Sequence, residues 1–512
     1  MQIISYVLGA VYLLIVFILA MYGFHNLINT ILYLNIRSTA SQKRMTPEIH
    51  KYPKVTVQLP IFNEKYTIGR LLDAVTKLDY PTEQFQIQVL DDSTDDTALL
   101  TQRLVNQYKS QGVNIEWVHR TNRQGYKAGA LSEGLHNATG ELIAIFDADF
   151  VPKPDWLKKT VPLFQNQKLG CLQTRWGHTN RKYNSLTQAE AMAIDGHFIV
   201  EQTVRSQNGF FLNFNGTAGL WRRACIEDAG GWQWDTLTED LDLSYRAQMR
   251  GWKIDYLPDV VVPAELPAQV EAFKNQQFRW AKGSFQVVRK ILPKIFQHSN
   301  LPLHIRLFAL LHLTGYGIHP LMLGLLLLTL PVGLLIPGAF KIFPLSILAS
   351  LGPPLLYLTA KASHTPPLLE RLKLLPLLTV TGFGISLSTS VAVVQGLIGK
   401  GGTFVRTPKL NLDNVRTRVK AVDQTYIPPI SPIVWVEFVL GIYALVTGIV
   451  LYPITGWGML SWMIIYMLGY FYIAGMNLIQ KRESARQTTR IVRKQPIKQP
   501  IRHTPASREA GD

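Results

Sequence analysis

The run LIAIFDAD, Leu142 to Asp149, decides the fold. Five apolar residues without a charge read as a buried strand. Two carboxylates, Asp147 and Asp149, follow at its end. At that spacing they can converge on one hard divalent cation. A bare Asp-x-Asp is common in surface turns, so the argument for a site rests on the buried strand before it. Moving outward, the same alternation recurs. VTVQLPIF (55–62) precedes a helical stretch at 66–77, and IQVLDD (87–92) precedes one at 96–110. IEWVHR (115–120) precedes one at 125–137, and LIAIFDAD precedes one at 155–165. This βαβα order implies an α/β domain with a parallel sheet and helices on both faces. Ligands of such sheets bind beyond the C-terminal ends of the strands, where the acidic clusters sit.

The soluble reading covers residues 53 to roughly 300 of a 512-residue chain, too long for one core. Charged residues make up 17% of it, below the roughly 25% usual for soluble domains. Residues 4–24 carry no charge and are long enough for a membrane span. A signal peptide would need a basic start, whereas Arg37, Lys43 and Arg44 come after the segment, placing residue 40 onward in the cytosol. Further apolar segments lie at 309–336, 342–360, 374–397, 433–453 and 457–479. Basic flanks on both sides make 374–397 an interfacial or re-entrant segment, which leaves about five spans. The alternative splits 304–336 into two short helices and lets 374–397 cross. The chain is basic, Lys+Arg 52 against Asp+Glu 35. Part of that excess lies in the tail after Lys481, directly behind an apolar segment. This favours membrane lipid headgroups and argues against a nucleic-acid partner. The two cysteines, Cys171 and Cys225, form no CxxC, and the His residues form no metal motif.

Several other motifs carry chemistry. Asp91 and Asp92 end the strand IQVL, where a base and ribose would be held; Thr94 or Asp95 suits a helix cap. Neither GxxxxGK[ST] nor GxGxxG is present, so phosphates must be held by a metal and by cations. Arg120, Arg123 and Lys127 open a helix and suit phosphate, or else form a solvated basic face. In Thr238-Glu239-Asp240 a carboxylate can accept a hydroxyl proton, or Thr238 or Asp240 merely caps a helix. In Gln276-Gln277-Phe278-Arg279-Trp280 the indole can stack on a sugar and the guanidinium can pair with phosphate. Near a membrane, the same pair can be an interfacial anchor.

In order, the chain has LPIFNE (59–64), DDS (91–93), GYKAGAL (125–131), DAD (147–149), FNGTAG (214–219), TED (238–240) and QQFRW (276–280). This resembles the processive family 2 glycosyltransferases, the cellulose, chitin and hyaluronan synthases and their relatives. FNGTAGLWRRACIEDAGGW and QQFRWAKG look most like the plant cellulose synthase-like A and C proteins, which make mannan and glucan backbones. The resemblance implies a GT-A, Rossmann-like α/β glycosyltransferase domain plus a multi-span α-helical transmembrane region. The expected organisation is a transmembrane helix at 1–35, a cytosolic catalytic domain at 36–300, membrane and interfacial helices at 301–480 and a basic cytosolic tail at 481–512. Phe404-Val405-Arg406-Thr407-Pro408-Lys409 is similar to the family's FxVTxK gating loop, here within 400–425, with Arg406 where that pattern has Val.

Carried over residue by residue, Glu64, Asp91 and Asp92 hold the nucleoside. Asp149, helped by Asp147, binds Mg or Mn and the diphosphate. Asp240 is the general base. Gln276, Arg279 and Trp280 lie under the acceptor sugar, and Phe404, Thr407 and Lys409 form the gating set. The implied reaction is an inverting transfer from a UDP- or GDP-hexose to a growing β-linked glycan, in a multi-pass protein of the plasma (inner) membrane. A glycolipid synthase, adding one sugar to a lipid acceptor, shares the domain. A transporter with a degenerate domain is disfavoured because DDS, DAD and TED are all intact.

Overall fold

The computed structural model of the protein describes residues 2–39, 47–48, 51–336, 338, 340, 343–362, 365–399, 401–402, 406–413 and 429–494. A long apolar helix, α1 (Gln2–Thr39), opens the chain. Then come β1 (Val55–Ile61), α2 (Ile68–Thr76), β2 (Phe85–Asp91), α3 (Thr97–Ser110), β3 (Ile115–His119), α4 (Tyr126–Asn137), β4 (Leu142–Ile145) and α5 (Trp156–Thr160). The pleat sends alternate residues to opposite faces. Leu142 and Ala144 join one core with Val57, Leu59 and Leu72. Ile143 and Ile145 join another with Leu131, Phe214 and Trp221. Both faces are covered, as the uncharged run required.

The second half continues with β5 (Leu169–His178), α6 (Ser185–Asp195), a π-helical turn (Gly196–Gln202), α7 (Thr203–Asn208), β6 (Gly219–Arg222), α8 (Arg223–Asp228), α9 (Glu239–Met249), β7 (Lys253–Ala264) and α10 (Val270–Gln297). The sheet order is β3-β2-β1-β4-β6-β5-β7. β1 to β4 pair in parallel, but β6 runs antiparallel to β4 and to β5. The sheet is therefore mixed, not parallel throughout. The βαβ argument ends at residue 165, and four-residue β6 shows no alternation to read. The parallel register sets Ile61, Asp91 and His119 side by side at one edge, the edge where Asp147 follows β4. This is how residues far apart in sequence meet.

The remaining helices are α11 (Leu303–Leu313), α12 (Ile318–Leu335), α13 (Phe343–Thr359), α14 (Leu368–Gly384), α15 (Ser386–Ile398), α16 (Ile433–Thr455) and α17 (Trp457–Lys494). Among the described residues, four helical segments are long and apolar enough to cross a bilayer: Gln2–Ser38, Gly315–Leu335, Ile433–Thr455 and Trp457–Arg482. A fifth exists if α14 and α15, bent by 48° at their break, form one span. That pair covers 374–397, the segment read as interfacial or re-entrant. Of the expected span at 309–336, Gly315–Leu335 stands as one candidate span, and residues 309–313 belong to the preceding helix α11, across a 3-10 turn at Gly315–Gly317. α13 has 17 residues with Pro353 and Pro354 inside, at the short limit for a span. α17 runs on to Lys494, so the first part of the basic tail is helical. Residues 495–512 lie outside the described residues.

Membrane helices pack through small residues that let backbones approach. A Cβ on Gly352 would collide with the Gly23 carbonyl oxygen of α1, whereas one on Gly382 would meet nothing within 4 Å. Gly352→Val should therefore push α13 off α1 and cost about 1–3 kcal/mol. Gly382→Ala should leave thermal unfolding of the detergent-solubilised protein unchanged. Equal midpoints for the two variants would contradict this packing.

Candidate active site

One open cavity lies beyond the C-terminal strand ends. Glu64, Asp92, Asp147, Asp149 and Asp240 line it, together with Lys127, Gln276, Arg279 and Trp280. Asp92 extends just past β2. The Arg120 fork grips it, Nε donating to Oδ1 at 2.7 Å and Nη2 to Oδ2 at 2.5 Å. Beside it, the Arg123 guanidinium lies 3.2 Å from the Phe62 ring centroid. Asn63, at φ 55°, ties the ends of β1 and β2 together. Its N–H donates to Ser93 Oγ (2.9 Å) and its Oδ1 accepts from Thr94 N (2.8 Å).

Asp91 is not brought to the cavity. Its fully buried carboxylate accepts from Ser93 N and Trp117 Nε1, both at 2.9 Å. Register explains this: Asp91 still pairs with β3, whereas Asp92 is the first residue beyond the strand. Arg120 and Lys127, read as phosphate cations, are both engaged by carboxylates. Lys127 pairs with Asp147 and donates to the Gly216 carbonyl at 2.9 Å. Burial opposes the charged form of Lys127, but Asp147, Glu239 and Asp240 hold its pKa above the usual lysine value.

Asp149 is 5% exposed. Its Oδ2 accepts from the backbone N–H of Glu265 and pairs with Lys409 Nζ, both at 2.9 Å. Lys409 belongs to the gating-like segment, whose described part, 406–413, lies across the cavity. Arg406 donates to the Asn63 carbonyl and lies 3.5 Å from Glu64 Oε2. Burial pushes Glu64 up to about 8, against the pull of Arg406. Thr407 lines the cavity as well, and Phe404 lies outside the described residues.

The motif readings did not single out Glu265. Its Oε1 accepts from Leu410 N at 2.8 Å and its Oε2 from Leu412 N at 3.0 Å, clamping this segment. The one available signal was its place directly after β7, at the same sheet edge.

Asp240 sits in the first turn of α9, where Oδ1 accepts from Leu241 N at 2.8 Å. The Thr238 side chain makes no cap hydrogen bond, so the capping alternative for it fails. Burial and then the neighbouring Glu239 push Asp240 up to about 7. Gly216, at φ +82°, leaves room for it: a Cβ there would stand 3.0 Å from Asp240 Oδ2. Gln276, Arg279 and Trp280 recur at helical spacing along α10 and so share the wall of the cavity. Three buried wall oxygens, Thr238 Oγ1, Gln276 Oε1 and Thr407 Oγ1, have no hydrogen-bond partner among the described residues. Such a wall suits a polar ligand.

Among the described residues, no group of three His, Cys, Asp or Glu side chains is poised to hold a metal. The donor set nevertheless suits a divalent cation. Asp147 and Asp149 supply hard carboxylate oxygens, each now facing a lysine ammonium, and a diphosphate supplies further oxygens.

Residues 53–283 match the family described as glycosyltransferase like family 2. Glucomannan 4-beta-mannosyltransferase 7 of Arabidopsis thaliana is 42% identical over 257 residues, covering 49% of this chain and 46% of the relative. Glucomannan 4-beta-mannosyltransferase 1 of Cyamopsis tetragonoloba is 42% identical over 272 residues, 52% of each. The chain spans about half the length of these curated relatives. A solved structure, a mannosyltransferase from Pyrobaculum calidifontis in complex with GDP-Man and Mn2+, aligns at 22% identity with a TM-score of 0.49, covering 76% of this chain and 99% of that one.

The Asp92 carboxylate depends on a single fork. Arg120→Ala leaves it buried without its cation, a change that typically costs about 3–5 kcal/mol. The expected outcome is a lowered unfolding midpoint together with at least tenfold weaker nucleotide binding by calorimetry. Arg120→Lys should recover only part of either, because an ammonium cannot reproduce two parallel hydrogen bonds.

Proposed function

We propose that this family 2 glycosyltransferase domain transfers a hexosyl unit, with inversion, from a nucleotide-sugar to a growing β-linked polysaccharide. The supporting observation is that Asp92, Asp149, Asp240 and the Gln276/Arg279/Trp280 set, from four separate segments, line one cavity. The names of the relatives favour a mannosyl donor, hence GDP-mannose over UDP-glucose. The apolar helices on both sides of the domain favour a multi-pass enzyme that hands its product toward the bilayer. The basic residues after α1 favour a cytosolic domain and C-terminus at the plasma (inner) membrane.

The reaction is a single displacement. An acceptor hydroxyl, held over Trp280, gives its proton to Asp240 as its oxygen attacks the anomeric carbon. The bond from that carbon to the diphosphate oxygen breaks, and the nucleoside diphosphate leaves with the electron pair. An α-linked donor thereby gives a β-linked product. Asp92 holds the nucleoside end. Lys127 and Arg279 place positive charge where the leaving group gains negative charge. A divalent cation, Mg or Mn, held by Asp147 and Asp149, would supply Lewis-acid neutralisation of the diphosphate when bound. The cavity wall positions the reactants, which accounts for a large part of such an acceleration.

Asp240 acts only when ionised, so the rate should fall about tenfold per unit as pH drops below about 7 and level off above it. Asp240→Asn should lower turnover by about 10²–10⁴ while calorimetry finds GDP affinity within twofold of wild type. Turnover above a tenth of wild type would show that another group is the base.

Chelation by EDTA should stop transfer, and Mn or Mg should restore it. The same membranes, given labelled GDP-mannose or UDP-glucose, identify donor and acceptor together. Insoluble product digested by mannanase or cellulase supports a polymer, and label extracted into chloroform would make the enzyme a glycolipid synthase.

A further inference from the structure

Glu437 is the only charged residue in α16, an apolar helix long enough to cross a bilayer. It is fully buried, and its Oε1 lies 2.7 Å from Lys274 Nζ on α10. The Lys274 side chain is itself 3% exposed. A charged group buried near the start of an apolar helix is costly and calls for a specific role. Lys274 stands two residues before Gln276 and six before Trp280, on the helix that carries the cavity wall.

The same stretch of α10 is held at three further points. Glu271 lies 3.9 Å from Lys274 Nζ, and its carboxylate accepts from the backbone N–H of Ser431, just before α16. From α17, Gln480 Oε1 accepts from Val270 N at 2.9 Å, and Gln480 Nε2 donates to the Ala268 carbonyl at 3.3 Å. The membrane helices thus grip residues 268–274, and the cavity residues follow within two turns.

We propose that Lys274 and Glu437 are a positioning pair, in which a buried carboxylate of α16 sets the register of α10 and so places Gln276, Arg279 and Trp280 over the reacting sugars. This rests on the glycosyl-transfer reading. The physical argument is directional. A buried ion pair holds a protein together little better than well-packed apolar residues of the same volume. What it adds here is one preferred geometry, because Nζ must face that carboxylate, whereas apolar contacts tolerate sliding. A shift of about 1 Å at the wall is enough to cost about 10² in rate.

The test uses the full chain in nanodiscs with GDP-mannose. Glu437→Gln should lower kcat about 10–100-fold, leave GDP affinity within twofold and speed hydrogen exchange across 275–283. The double variant Lys274→Met with Glu437→Leu removes both partners of the 2.7 Å pair together, and Glu271 loses only a cation 3.9 Å away. It should unfold at the wild-type temperature and still show the low kcat and the fast exchange. Wild-type kcat and exchange in the double variant would overturn the proposal, since packing alone would then place the helix. Should Glu437→Gln fail to fold, the double variant decides. A wild-type protein that transfers no sugar would count against the transfer reading, and the exchange measurement would still judge the positioning role.

Discussion

The charge balance inside one cavity governs this structure. Seven carboxylates face it: Glu64, Asp92, Asp147, Asp149, Glu239, Asp240 and Glu265. Burying so many like charges is expensive unless each finds a partner. Most do. Arg120 takes Asp92, Lys127 takes Asp147, Lys409 takes Asp149, and Arg406 stands near Glu64. Glu265 is satisfied by the backbone of 410–412. Glu239 and Asp240 make no ion pair among the described residues, and both are pushed up in pKa by burial. Asp240, pushed up to about 7 by burial and by the neighbouring Glu239, is left without an ion-pair partner to offset that rise.

The fold supplies the convergence and the sequence supplies the pairing. Parallel β1, β2 and β4 end at one edge, so residues just past each strand meet whatever their separation along the chain. A one-residue offset then separates roles. Asp91, still in the ladder, turns into the scaffold and holds Trp117, whereas Asp92 faces the cavity. Likewise Asp147 and Asp149 follow a strand that stops at Ile145, where the chain is free to turn both carboxylates into the cavity.

The first four strands were legible because short runs rich in apolar and β-branched residues alternate with helical stretches. The site motifs were legible because Asp, Arg and Trp at strand and helix ends carry recognisable chemistry. Three things were not. The antiparallel β6 is too short to carry a pattern. The break after Leu313 stood only as an alternative, the splitting of 304–336 into two short helices, because apolar residues dominate on both sides of Thr314-Gly315-Tyr316-Gly317. Glu265 carries no motif. Its work, clamping Leu410 and Leu412, depends on a segment about 145 residues away, a contact no local pattern announces. Asp91 was misplaced for the opposite reason: an acidic pair at a strand end looks like two site residues, and only register tells them apart.

The boundary of the family match is therefore not the boundary of the cavity. The family match stops at residue 283, yet Arg406 and Lys409, which offset Glu64 and Asp149, come from beyond it. The helix that carries Gln276, Arg279 and Trp280 is gripped by α16 and α17, also beyond it. A domain cut at residue 283 would keep the acidic residues, lose part of their compensation and free the helix that closes the cavity. The apolar helices are therefore not mere appendages: the segment between α15 and α16 completes the charge balance of the cavity and α16 and α17 hold one of its walls, so any movement among them is felt there.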